Sequence, residues 1–158
     1  MRRNEDAQRF TAGLIKNKSK KIMYESITQV RVRYAETDQM NVVYYGNYAQ
    51  YFEVGRVESI RQLGYTYKDM EAEGIIMPVV ELHIKYLRPA TYDDLLTVKT
   101  IVREMPEEHR IEFFQEVYNE QEKMLTSGKV VLYFLDAATR QKTVMPSALK
   151  EKLLPFFE

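Results

Sequence analysis

A chain of 158 residues with 45% hydrophobic residues and zero formal net charge can bury one core of ordinary size, which excludes a wholly disordered protein. It contains no cysteine, which excludes disulfides, thiolate zinc sites and cysteine nucleophiles and suits a reducing cytoplasm. Charge is unevenly spread: residues 1–21 hold seven Lys or Arg against Glu5 and Asp6, leaving 16 basic against 21 acidic residues in the remainder. Residues 1–24 read as a basic, solvated extension, because the patterned sequence begins just after Met23, and one domain is expected over 25–158. An acidic body gives no support to nucleic-acid binding. No apolar run approaches the roughly 20 residues that span a bilayer, so no membrane span is expected.

Residues 27–33 alternate, Val30 and Val32 against Gln29, Arg31 and Arg33, which predicts a half-buried strand. A loop is expected from Ala35 to Tyr45. Residues 47–63 predict a helix with Tyr48, Phe52, Gly55, Ser59 and Leu63 on one face. Glycine inside a helix costs about 1 kcal/mol relative to alanine, so Gly55 marks close approach to another backbone. Gly64 is the expected stop, and a short helical turn over 67–72 ends at Gly74.

The remainder predicts strands. Val80, Leu82, Ile84 and Tyr86 share one face of the first. A turn over Pro89–Asp94 leads to the second, with Leu96, Val98, Thr100 and Val102. Ile111, Phe113 and Val117 mark a third and Val130 to Leu135 a fourth, joined by a hairpin at Asn119–Glu122. Gly128 is read as a bulge and Ser147 as the cap of a last short helix. One long helix with antiparallel strands is an α+β domain.

The stretch Tyr34–Gly55, YAETDQMNVVYYGNYAQYFEVG, concentrates the chemistry. Asp38 sits in a turn-forming segment ahead of an apolar run (Val42, Val43, Tyr44, Tyr45) and the helix start at Gly46-Asn47. Taken alone, Asp38 reads as an aspartate closing a turn through its own backbone. An acid beside a helix N-terminus can equally serve acyl chemistry. The carboxylate attacks a carbonyl or activates water, and an unpartnered amide takes up the oxyanion.

The order of residues from Asp38 to Tyr48 resembles the 4-hydroxybenzoyl-CoA thioesterase-like branch of the hotdog-fold acyl-CoA thioesterases. Lys85-Tyr86-Leu87-Arg88-Pro89-Ala90 followed by Asp94 is similar to that family's second strand and turn. The resemblance covers about Glu25 to Leu154. It implies the hotdog fold, a five-stranded antiparallel sheet wrapped round one helix. It implies hydrolysis of an acyl-CoA, or of an acyl carrier protein thioester, without a cofactor. Asp38 becomes base or nucleophile, and the Tyr45 backbone amide contributes to the oxyanion hole. It also implies a homodimer or homotetramer with sites at the interface.

The match departs from the family at two points. Asn41 stands where many members have Gly, and asparagine tolerates positive φ better than most residues. Tyr45 stands where many have His, so its ring reads equally as packing. Tyr44, Tyr48 and Arg88 are substrate-binding candidates. Glu53, on the helix where a second branch of these thioesterases carries its acid, is the reserve catalytic candidate, although Glu53 and Glu58 lie off the Tyr48–Phe52–Gly55 face and read as solvated. His83 and His109 fall in polar settings without metal-ligand spacing, so no metal is expected. A hotdog dehydratase would use a histidine, and none occurs in 34–64. A pocket that binds acyl thioesters without turnover is the non-enzymatic alternative.

Overall fold

The computed structural model describes residues 22–158. The segment 1–21, and with it most of the expected basic extension, lies outside the described residues. Strand β1 (Tyr24–Arg31) already starts at Tyr24, the last residue assigned to that extension.

Strands β1, β3 (Val79–Tyr86), β4 (Leu95–Val102), β5 (Arg110–Tyr118) and β6 (Met124–Tyr133) form one antiparallel sheet in the order β1-β4-β5-β6-β3. Two short strands, β2 (Ile75–Ile76) and β7 (Leu135–Asp136), pair apart from it. The first and third strands are the two edges of the sheet, so the chain has to cross the sheet between them. Helix α1 (Asn47–Gln62) lies in that crossing. Helix α2 (Tyr67–Ala72) follows it, and α3 (Ser147–Leu153) comes near the end of the chain. The hotdog architecture expected from the sequence is therefore the architecture found. No helix among the described residues is long and apolar enough to cross a membrane.

The helix lies close to the sheet because glycines make room on both sides. A Cβ on Gly55 would sit 2.7 Å from Val98 Cγ1 and 2.8 Å from both Gln115 Nε2 and Thr100 Oγ1. One on Gly128 would sit 2.6 Å from the Phe52 ring and 2.4 Å from the His83 carbonyl oxygen. Phe52 is fully buried, and burial of a phenylalanine side chain contributes about 1.5–3 kcal/mol.

The core also holds a polar chain that the hydrophobic pattern did not reveal. Arg56 Nη1 donates to Gln115 Oε1 (3.1 Å), and Gln115 Nε2 donates to the Phe52 carbonyl (2.8 Å) and to Thr100 Oγ1 (3.0 Å). Burial pushes the Arg56 pKa down, against the raising influence of Tyr67 and Glu53.

Four local expectations are corrected. β6 begins at Met124, well before Val130, because Thr126, Ser127 and Gly128 belong to the strand despite their small or polar side chains. Gly128 pairs in regular register with Ile84 and Gln115, so it marks the approach of Phe52 and not a bulge; the register shifts fall at Val117/Tyr118 and Val79/Glu81. Ser147 opens α3 without capping it, since the N-cap position is Pro146. Val32 lies beyond β1, its N–H donating to the Asp94 carbonyl at 2.9 Å. The glycine stop is as expected: Gly64 has φ +81°.

Candidate active site

The loop carrying the acid is itself a small hairpin. The Tyr44 N–H donates to the Glu36 carbonyl and the Asp38 N–H to the Val42 carbonyl, both at 2.9 Å, across a bridge between Thr37 and Val43. At its tip the Asn41 N–H donates to the Asp38 carbonyl (3.0 Å), and Asn41 holds φ 62°. Asparagine thus holds a left-handed conformation that otherwise favours glycine. The Met40 N–H donates to Asp38 Oδ1 at 2.8 Å. Asp38 therefore does close a turn through its backbone, and the turn fixes its carboxylate. Its Oδ2 accepts no hydrogen bond among the described residues.

Asp38 lines a hollow of about 300 Å³ together with Val42, Tyr45, Tyr48, Tyr86 and Arg88. Next to it the chain turns into α1. The Asn47 N–H donates to the Tyr44 carbonyl (2.9 Å), but neither Tyr45 nor Gly46 donates its own N–H in a hydrogen bond among the described residues. Unpartnered amides at a helix N-terminus, in the positive half of the helix dipole, are suited to an oxyanion.

Three tyrosines build one side of the hollow. The Tyr86 ring stands edge-on to Tyr45 (6.1 Å between centroids) and to Tyr48 (5.6 Å). The Tyr86 hydroxyl donates to the Tyr45 carbonyl at 3.0 Å, and the Tyr48 hydroxyl accepts from the Ala90 N–H at 3.1 Å. Burial raises the Tyr48 pKa, so its hydroxyl stays neutral and remains able to donate.

Of the residues singled out from the sequence, Asp38, Tyr45, Tyr48 and Arg88 come together here. The Arg88 guanidinium also donates to the Met124 carbonyl (3.0 Å), which ties it to β6. Tyr44 does not line the hollow; its ring folds over Gly46, where a Cβ would meet Tyr44 Cε1 at 2.7 Å. Glu53 is exposed on α1, outside the hollow. Lys85 and Lys129 line a separate depression with His83 and Phe114. In the sequence Tyr86 reads as one residue of a strand face and of the Lys85–Ala90 motif, with no sign that it joins the hollow. Glu36, buried beside the loop, does not show in the hydrophobic pattern; its signal in the sequence is the three-residue spacing from Arg33.

The family model of the Thioesterase-like superfamily matches residues 32–153, and the chain belongs to that family. It is 31% identical to the acyl-CoA thioesterase YbgC of Haemophilus influenzae over 122 residues, covering 77% of this chain and 88% of that protein. It is 44% identical to YneP of Bacillus subtilis over 82 residues, a match that spans 52% of this chain and 59% of YneP. Among solved structures, the DHNA-CoA thioesterase of Staphylococcus aureus superposes with a TM-score of 0.72 at 40% identity, covering 75% of this chain and 78% of that one.

Proposed function

We infer that this chain is an acyl-CoA thioester hydrolase in which Asp38 is the catalytic carboxylate and the Tyr45 N–H, with that of Gly46, receives the oxyanion. One observation carries the assignment of roles: Asp38, with an uncommitted carboxylate oxygen, and Tyr45, whose N–H is uncommitted at the start of the helix, line the same apolar hollow, and the uncommitted Gly46 N–H is the next along the chain. The thioester carbonyl oxygen accepts from the amides, which stabilise the charge that develops on it. Asp38 then either bonds to the carbonyl carbon, expelling CoA thiolate and leaving a mixed anhydride for water to cleave, or removes a proton from the attacking water. Label found in the Asp38 carboxylate after a single turnover in ¹⁸O-labelled water identifies the nucleophilic route, because water that opens the anhydride at the Asp38 carbon leaves its oxygen there, whereas general-base catalysis puts label only in the product.

Asp38→Asn keeps the shape and removes the charge, and kcat/KM for acyl-CoA should fall by about 10²–10⁴, while Glu53→Gln stays near wild type. A fully active Asp38→Asn with a dead Glu53→Gln would overturn the assignment. A panel of acyl-CoA and acyl carrier protein thioesters with thiol detection identifies the preferred carrier and acyl group.

The working unit is at least a homodimer. β3 is an edge strand whose ladder is open on one side. Val79, Val80, Leu82, Tyr86 and Leu87 are 44–48% exposed along and just beyond it. Tyr86 and Leu87 also line the hollow, so a second copy docked on β3 would wall the site.

A further inference from the structure

Beside Asp38 lies a second acid that the chemistry above leaves unused. Glu36 is only 6% exposed. Its Oε1 accepts from the Arg33 N–H (2.8 Å) and from the Tyr51 hydroxyl (2.9 Å). Its Oε2 accepts from Arg33 Nε (2.9 Å) and lies 2.8 Å from Arg33 Nη2. Its carbonyl oxygen accepts from the Tyr44 N–H (2.9 Å) and from Asn47 Nδ2 (2.8 Å). One residue thus joins the strand leading into Asp38 to the Tyr44 amide, to the first residue of α1 and to the helix interior one turn on. Tyr45 lies between those anchor points.

A buried carboxylate is unfavourable unless its acceptors are filled. Here the donors are so placed that neither oxygen can be replaced by an amide group without two donors meeting. We propose that Glu36 is a positioning residue for the hydrolysis, setting the distance between the Asp38 carboxylate and the Tyr45 N–H through Tyr51 and through its own carbonyl. The proposal rests on the assignment of Asp38 and Tyr45 given above. The charge is needed because a carboxylate can accept at both oxygens, whereas glutamine presents N–H groups to donors already aimed at it. Tyr51 extends the link to the substrate hollow, since its ring stands edge-on to Tyr48 at 5.6 Å.

The test compares Glu36→Gln, Tyr51→Phe and their double variant with wild type, with Asp38→Asn and with Leu149→Ala. The last removes buried side chain in α3, outside the hollow, and serves as a destabilised control. Tyr51→Phe deletes one hydroxyl and keeps the ring, so it reports even if Glu36→Gln folds poorly. A misplacement of about 1 Å costs on the order of 100-fold. Both single variants are expected to lose roughly 10- to 100-fold in kcat with KM within about twofold, and the double variant to fall no further than the worse single. Leu149→Ala should lose melting temperature and keep kcat. Wild-type kcat in Glu36→Gln and Tyr51→Phe with a melting temperature lowered as in Leu149→Ala would make Glu36 merely structural and overturn the proposal. If Asp38→Asn itself retains activity, the catalytic assignment fails and the positioning role fails with it; a dead Asp38→Asn beside fully active Glu36 and Tyr51 variants overturns the positioning role alone.

Discussion

Single residues in the site are held by bonds whose loss has a calculable direction. Asn41 at φ 62° is tolerated there because its short side chain suits the left-handed region. Asn41→Gly should leave the melting temperature almost unchanged. Asn41→Val should destabilise by roughly 1–2 kcal/mol and lower activity, since a β-branched residue resists positive φ and the loop holding Asp38 would shift. Thermal melts with parallel assays check both; a valine variant as stable and active as wild type would sink the account. Glu36 makes a pH prediction. Burial alone would raise its pKa, but hydrogen bonds from the Arg33 N–H, the Arg33 side chain and the Tyr51 hydroxyl outweigh it and hold the value below the usual one. A depressed carboxylate pKa stabilises the fold above the unfolded value of about 4.3, and that contribution is lost as pH falls through the folded value. The acid side of the stability profile should therefore flatten in Glu36→Gln.

At the scale of elements, the contact between α1 and the sheet is the sensitive seam. Helix propensity favours Gly55→Ala by about 1 kcal/mol. Packing opposes it, because three neighbours from β4 and β5 converge within 2.7–2.8 Å of the new methyl group. Overpacking typically costs 1–3 kcal/mol, so packing is expected to win and the melting temperature to fall, further for Gly55→Val. An unchanged or raised melting temperature for Gly55→Ala would mean that the helix can lift off the sheet at little cost. Gln115→Leu tests the polar chain beneath the same seam. It removes the acceptor for Arg56 and the donor to the Phe52 carbonyl, and a loss of about 3 kcal/mol is expected in denaturant unfolding, because one of the stranded groups is charged.

At the scale of the whole molecule, the apolar edge of β3 and the open side of the hollow point to the same surface. Leu82→Asp places a charge on that edge, away from the hollow lining. Light scattering should report a monomer, and acyl-CoA hydrolysis should drop with assembly. A monomeric variant with full activity would separate the site from the interface. Repeating the measurement on a chain that starts at Met23 shows whether the basic segment contributes to assembly.

The architecture is legible in one dimension: alternation lays out the strands, one 3.6-residue stripe marks the helix, and Gly55 and Gly64 announce a close approach and a stop. These are properties of local periodicity and backbone freedom, so they survive in one dimension. The order of residues from Asp38 to Tyr48 likewise singled out Asp38 and Tyr45, which line one hollow because both belong to a single hairpin and the helix that follows it; their catalytic roles are the proposal made above. Other features depend on which elements folding brings side by side. Tyr86 reaches Tyr45 only because β3 lies at the sheet edge beside the start of α1. Tyr44 and Tyr45 are adjacent in the chain, yet only Tyr45 lines the hollow, since the turn at Gly46 draws the Tyr44 ring over itself. Gly128 reads as a bulge, but it lies in regular strand pairing because its cross-strand partners and the approach of the Phe52 ring outweigh its low strand propensity. Glu36 and Arg56 carry charges into the interior, which no hydropathy pattern encodes, because what permits their burial is the set of hydrogen-bond partners that folding brings together.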